Sequence, residues 1–203
     1  MESVSTSKSG TGSGAPASSP PEEMIRRAER AAMHSPCAKS RRGVVLYGEI
    51  ATMGVEYAVA GVGHNGPPRT HPGTPRCDGS ARCHEVCNRR CVHAEMRALR
   101  DVAPGYQAMG GLHLLHVKLG PDDRVVGGHG PSCWQCSREI LDVGFVAGVW
   151  LYESRVAVGR PDDRERHDHE TVESAWYYYS AQEFHRETAR TCDLDMSSRG
   201  TES

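Results

Sequence analysis

Apolar residues recur at helical spacing early in the chain, where Met24, Ala28, Ala31 and Ala32 mark one face. Ser19-Pro20-Pro21-Glu22 precedes them, with Ser19 as a cap, Pro20 at the first helical position and Glu22 completing a capping box. Ser35-Pro36 ends this helix. Two apolar runs, Gly43–Tyr47 and Val55–Val62, then read as short strands around a Gly-containing turn. From His64 to Arg90 periodicity is lost and Gly, Pro, Arg and Cys dominate, a length of connection that signals function or a local staple. Helical spacing returns from about Val92 to Val102 and is stopped by Pro104-Gly105. Leu112–Lys118 reads as a strand. Ser132–Val143 reads as a helix, with Ser132 as N-cap, Gln135 as its capping-box partner and Gly144 at the far end. Val146–Tyr152 is another strand, and the alternation of strands and helices predicts an α/β layered domain.

Beyond Tyr152 the pattern weakens. Residues 153–170 are charged and loop-like, and Trp176–Tyr179 fits either a strand or a packed aromatic segment. Ser180-Ala181-Gln182-Glu183 carries a capping signature and opens a helix to about Arg190. The expected organisation is a disordered tail over 1–18, one domain over 19–190 with its core at 22–152, and a disordered tail over 191–203.

Composition refines this picture. Hydrophobic residues make up 37% of 203, a low share because Ser, Gly and charged residues crowd the two ends. A net charge of -2 provides no global attraction to nucleic acid or an anionic membrane, so neither partner is expected. No apolar run reaches the roughly 18 residues of a membrane span, and the N-terminus lacks the apolar centre of a signal peptide. Of 8 cysteines, all but Cys192 fall between Cys37 and Cys136, in spacings that suit metal ligands better than a secreted disulfide scaffold. A reducing, cytoplasmic location is expected.

The informative residues are His93-Ala94-Glu95 and Pro131-Ser132-Cys133-Trp134-Gln135-Cys136. Zinc takes imidazole nitrogen and thiolate sulfur, and three protein ligands leave a fourth position for water. Cys133 and Cys136, in the first turn of a helix, can face one ion, and the positive helix end favours their thiolates. In mid-helix His93 and Glu95 would diverge by about 200°. They converge only at a helix start, which fits the absence of helical periodicity before Cys91. A structural zinc normally closes with four protein ligands, and a redox Cys-x-x-Cys needs no His-x-Glu. The H-x-E…P-C-x-x-C arrangement is instead the zinc deaminase signature, with the glutamate carrying protons and not binding metal.

On these residues the chain resembles the cytidine and deoxycytidylate deaminases over about residues 22–152. The deoxycytidylate branch is closest, because Gly63-His64-Asn65-Gly66-Pro67-Pro68-Arg69 is similar to its Gly-Tyr-Asn-Gly-x-Pro-Arg segment, with His64 in place of the tyrosine. The resemblance implies a three-layer α/β fold with a central mixed sheet of about five strands flanked by helices. It implies Zn2+ held by His93, Cys133 and Cys136 between the second and third helices, and Glu95 as catalytic residue. Asn65, Ala94 and Ser132 would contact substrate, Ser132 through its carbonyl. The reaction implied is hydrolytic loss of the 4-amino group of cytosine, dCMP to dUMP. The alternatives are a cytidine or deoxycytidine deaminase, or a polynucleotide enzyme acting on tRNA or single-stranded DNA. The expected partner is a small pyrimidine nucleotide, and a homo-oligomer is implied. Ser132 departs from the family, which places Pro directly before the first metal-binding Cys.

Cys77, Cys83 and Cys87 lie in a compact Arg-rich loop, and Cys37 follows the first helix. Similarity to phage-type deoxycytidylate deaminases implies a second, structural zinc on Cys37, Cys77, Cys83 and Cys87, with Cys91 or His84 able to replace one ligand. Such an ion would staple a long aperiodic loop. Arg69, Arg76, Arg82, Arg89 and Arg90 either bind a substrate phosphate or cover the loop surface. His167 and His169 read as solvated, and His113 and His116 lie on a strand with no evident partner.

Overall fold

The structure is a computed structural model that describes residues 19–37, 39–50, 57–68, 91–131, 133–156 and 172–199, with side chains described to Thr191. The expected tail over 1–18, most of the 64–90 loop with Cys77, Cys83 and Cys87, and Ser132 lie outside the described residues.

The elements in chain order are α1 Glu22–Met33, β1 Arg41–Glu49, β2 Tyr57–His64, α2 Ala94–Asp101, α3 Pro104–Met109, β3 Leu112–Leu119, α4 Trp134–Asp142, β4 Val146–Val156, β5 Val172–Ser180 and α5 Ala181–Arg199. The strands form one 5-stranded sheet in the order β2-β1-β3-β4-β5. β3 and β4 are parallel and every other neighbouring pair is antiparallel, so the sheet is mixed. The parallel pair requires a crossover, and α4 provides it.

Both faces of the sheet are covered, which is why β1 and β3 read as nearly unbroken apolar runs. Val45, Tyr47, Leu115, Val117 and Leu119 face Met24, Ala28 and Ala32 of α1. Val44, Leu46, Leu114, Val149 and Leu151 face Ala94 and Ala98 of α2, Ile140 of α4 and Phe184 of α5. The result is the three-layer α/β arrangement expected.

Several boundaries differ from the sequence reading. α1 begins at Glu22 with Pro21 as N-cap and no side-chain cap, so neither Ser19 nor a capping box starts it. Pro21 carbonyl accepts from the amides of Met24 and Ile25 instead. Pro104 opens α3 and does not merely stop α2, in keeping with proline's fitness for a first turn. α4 is capped by Cys133, not Ser132, the sulfur accepting from Cys136 N at 3.3 Å. Trp176–Tyr179 belongs to a full strand, β5, paired along β4. α5 runs to Arg199, past Arg190, so the expected tail from residue 191 has helical backbone. Its start matches the predicted capping box: Glu183 N donates to Ser180 Oγ at 3.2 Å and Ser180 N to Glu183 Oε2 at 2.9 Å.

Candidate active site

His93 is the N-cap of α2, with extended backbone at φ -71° and ψ 153°. That geometry frees His93 from helical spacing, and its ring lines the same cleft as Glu95 in the first turn. The helix can lie this close to the sheet because β2 has Gly61 and Gly63 beneath it. A Cβ on Gly63 would collide with the backbone of Ala94 and Ala98, and one on Gly61 with Ala98 carbonyl. The segment before His93 is tied down by a two-bond bridge, Gly66 N to Val92 O at 3.1 Å and Val92 N to Gly66 O at 2.8 Å. Arg97 of α2 donates to the carbonyls of His64, Gly66 and Pro67 and clamps the turn bearing Asn65.

Cys133 and Cys136 arrive from the end of the β3–α4 connection, beyond the carboxyl end of a parallel strand, where open α/β sheets bind ligands. His93 Nδ1 lies 3.1 Å from Cys133 Sγ and 3.2 Å from Cys136 Sγ. The three donor atoms lie within 4.8 Å of one another, compact enough for one ion. Hydrogen bonding from Cys136, aided by His93, pulls the Cys133 thiol down to about 5 against the effect of burial. The Cys136 thiol is pushed up by sharing its proton with Cys133, by burial and by the charge of Glu95. The bond to Cys133 raises the pKa of His93. A borderline-soft dication suits this donor set, because it allows both sulfurs to be thiolates beside a carboxylate.

Glu95 is only 5% exposed, and its Oε1 stands 3.2 Å from His116 Nδ1. Burial opposes its ionisation, but His116, its own amide, His93 and Arg42 outweigh burial and hold the carboxyl below its ordinary value. His116 itself is pushed down to about 4, chiefly by burial. It is therefore neutral at physiological pH.

His93, Glu95, His116 and Cys133 line a cleft of about 470 Å³, and Cys136 is buried within reach of His93 and Cys133. Lys39, Arg42 and Lys118 also line the cleft, and Trp134, Tyr152 and Phe184 add aromatic surface. Trp134 is 41% exposed and its ring centroid lies 4.8 Å from that of His185. Cys37 and Cys91 also line the cleft. Glu153 is buried there, accepting from Tyr179 Oη at 2.7 Å and Arg155 Nη2 at 2.8 Å.

Asn65 lines the cleft, but most of its amide is committed to the scaffold. Oδ1 accepts from Ser35 Oγ at 2.7 Å and Arg42 N at 2.9 Å, while Nδ2 donates to Ser40 O at 2.8 Å. Among the described residues, one Nδ2 hydrogen remains beyond these bonds. Ala94 is buried at the first turn of α2 and also lines the cleft.

No protein-family model matches the chain, and neither does any curated protein. Among solved structures the chain is similar to a cyanophage dCMP deaminase. The apo form of the S-TIM5 cyanophage enzyme matches with a TM-score of 0.42 at 20% identity, covering 62% of this chain and 78% of that one. The same enzyme in complex with dCMP and dUMP matches with a TM-score of 0.40 at 21% identity, covering 62% and 76%.

Sequence reasoning missed three contributors: Arg42, Glu153 and the close-packing glycines of β2. His116 was visible only as a strand residue. It sits two positions from buried Leu114 and so shares the face turned to α2. That alternation was available as a signal; its partner was not. None of the described helices is long and apolar enough to cross a membrane.

Proposed function

We propose that the chain is a zinc-dependent hydrolase that replaces the 4-amino group of a cytosine nucleotide with oxygen, converting dCMP to dUMP. The observation that supports this reading most is the grouping of one imidazole and two sulfurs beside a cleft that a buried carboxylate also lines. His93, Cys133 and Cys136 would hold the zinc, which when bound would supply the Lewis acidity that makes water nucleophilic at neutral pH. Glu95 accepts one proton from the attacking water and passes it to N3 of the ring, then takes the proton left on the C4 hydroxyl and passes it to the amine, which departs as ammonia. Water and cytosine nucleotide thus balance uracil nucleotide and ammonia. Ala94 contributes an amide at the start of α2, where helix geometry leaves backbone donors open to a ligand. Asn65 contributes its remaining hydrogen to the nucleoside part, and Ser132 its carbonyl to the substrate amine. Lys39 and Lys118 favour an anionic substrate, in line with a 5′-phosphate. The second, structural zinc on Cys37, Cys77, Cys83 and Cys87 and a homo-oligomeric state belong to the same proposal.

A polynucleotide substrate is the second reading, favoured by the exposed ring of Trp134 at the cleft, since bases stack on aromatic side chains. An ammonia-release assay across cytosine, cytidine, deoxycytidine, CMP, dCMP and a cytosine-containing oligonucleotide separates the two. dCMP is expected to exceed deoxycytidine by at least about tenfold in kcat/KM, the scale of one charge-assisted phosphate contact. Equal rates on those two would leave a nucleoside deaminase, and preference for the oligonucleotide would replace the leading reading with the second.

A further inference from the structure

We propose that Arg42 and His116 form a positioning relay that holds Glu95 Oε1 as a permanent hydrogen-bond acceptor and leaves Oε2 to carry the catalytic proton. The proposal rests on the reading of Glu95 as proton carrier, but the relay itself is a matter of donors and acceptors. An ionised carboxylate only accepts, so the 3.2 Å contact with Glu95 Oε1 requires a hydrogen on His116 Nδ1. A neutral ring then has a bare Nε2, and a donor must face it if it is to be satisfied inside the protein. Arg42 Nη1 faces it at 3.5 Å, a long contact, and a guanidinium can only donate. The two ends agree on one tautomer. The opposite tautomer would put an N–H against Arg42 and demand a proton on Oε1.

The support for the relay is itself anchored. Arg42 Nε donates to Ser40 Oγ at 3.1 Å, and Arg42 N donates to Asn65 Oδ1 at 2.9 Å. His116 is 9% exposed and lies on β3, paired at its backbone with Val44 of β1, so the imidazole is carried by the centre of the sheet. A chain of contacts therefore runs from Asn65 through Arg42 and His116 to Glu95. With Oε1 occupied by Nδ1–H, a proton taken by Glu95 goes to Oε2, and the same oxygen returns it. His116 neither gains nor loses a proton in this scheme. It is a positioning residue.

The test uses the full chain loaded with zinc. A histidine 15N spectrum, with His116 assigned by its loss in His116→Leu, is expected to show Nδ1 protonated and Nε2 bare. In steady-state kinetics His116→Leu should lower kcat by about tenfold to a hundredfold, the usual effect of removing a partner that orients a metal-site group. KM should stay within about threefold, because ground-state binding is untouched. His116→Asn, whose Nδ2 occupies the place of Nδ1, should recover most of the loss. An Nε2–H tautomer in the wild type, a His116→Leu variant at full kcat, or a folded His116→Asn no better than His116→Leu would each overturn the relay. Should the wild type release no ammonia from any cytosine compound, the deaminase reading fails, and the tautomer alone then decides whether Glu95 is held as described.

Discussion

His93 Nδ1 and Cys136 Sγ lie 3.2 Å apart although 43 positions separate them in the chain. Two helix starts face one another to bring this about: His93 caps α2 and Cys133, three residues before Cys136, caps α4. The consequence is a donor cluster whose geometry depends on how the two helices seat on the sheet, more than on either helix alone.

Glu95→Gln should leave this cluster intact and lower turnover by about two to four orders of magnitude, the scale of general acid–base catalysis. Gln matches the volume of Glu and can keep the contact with His116, so zinc content measured by atomic emission should be unchanged. Near-normal turnover in this variant would remove Glu95 from the chemistry.

Gly63→Ala should destabilise the protein by on the order of 1–3 kcal/mol, the cost of overpacking. The added methyl meets the backbone of Ala94 and Ala98, which cannot rotate away, so α2 must shift. Urea unfolding reads the stability, and zinc titration should show weakened binding because His93 moves with the helix. An unchanged midpoint would mean that β2 and α2 are less closely packed than described.

Acid sensitivity should follow from His116. Its folded-state value, about 4, lies below the ordinary 6.5, so the unfolded chain binds more protons between those limits. Stability then falls as pH falls from about 6.5 to about 4. The lowered value of Glu95 adds loss in the same direction, as its carboxylate is protonated at the acid end. Thermal unfolding at a series of pH values should give a shallower slope for His116→Leu than for the wild type across this window. Parallel slopes would show that His116 titrates normally.

Metal analysis should return about two zinc ions per chain if Cys37, Cys77, Cys83 and Cys87 hold the second ion. Cys83→Ser should then lower metal content and thermal stability more than it alters the chemistry. One zinc in the wild type, unchanged in Cys83→Ser, would remove the second site.

Local sequence was enough for the candidate metal cluster, because its residues announce themselves by type and spacing within two short segments. It was also enough to require that His93 and Glu95 sit at a helix start, since α-helical geometry forbids their convergence anywhere else. The strands β1, β3 and β4 were legible for a similar reason: burial on both faces leaves unbroken apolar runs. β5 was not, because on strand β5 exposed Val172, Glu173 and Ser174 precede an aromatic run that suits a strand or a packed loop equally. Pairing with β4 decides it, and pairing is a relation between distant segments. His116 was legible as a strand residue without a partner. Only the tertiary structure supplies Glu95 on one side of its ring and Arg42 on the other, contacts that arise from the seating of α2 over β1, β2 and β3. Asn65 is the reverse case: its motif pointed to a ligand, while the fold spends three of its hydrogen bonds on Ser35, Ser40 and Arg42. Residue type and spacing declare which chemistry a chain can perform locally. Which hydrogen-bond partner each buried group finds depends on long-range packing, and no local pattern records it.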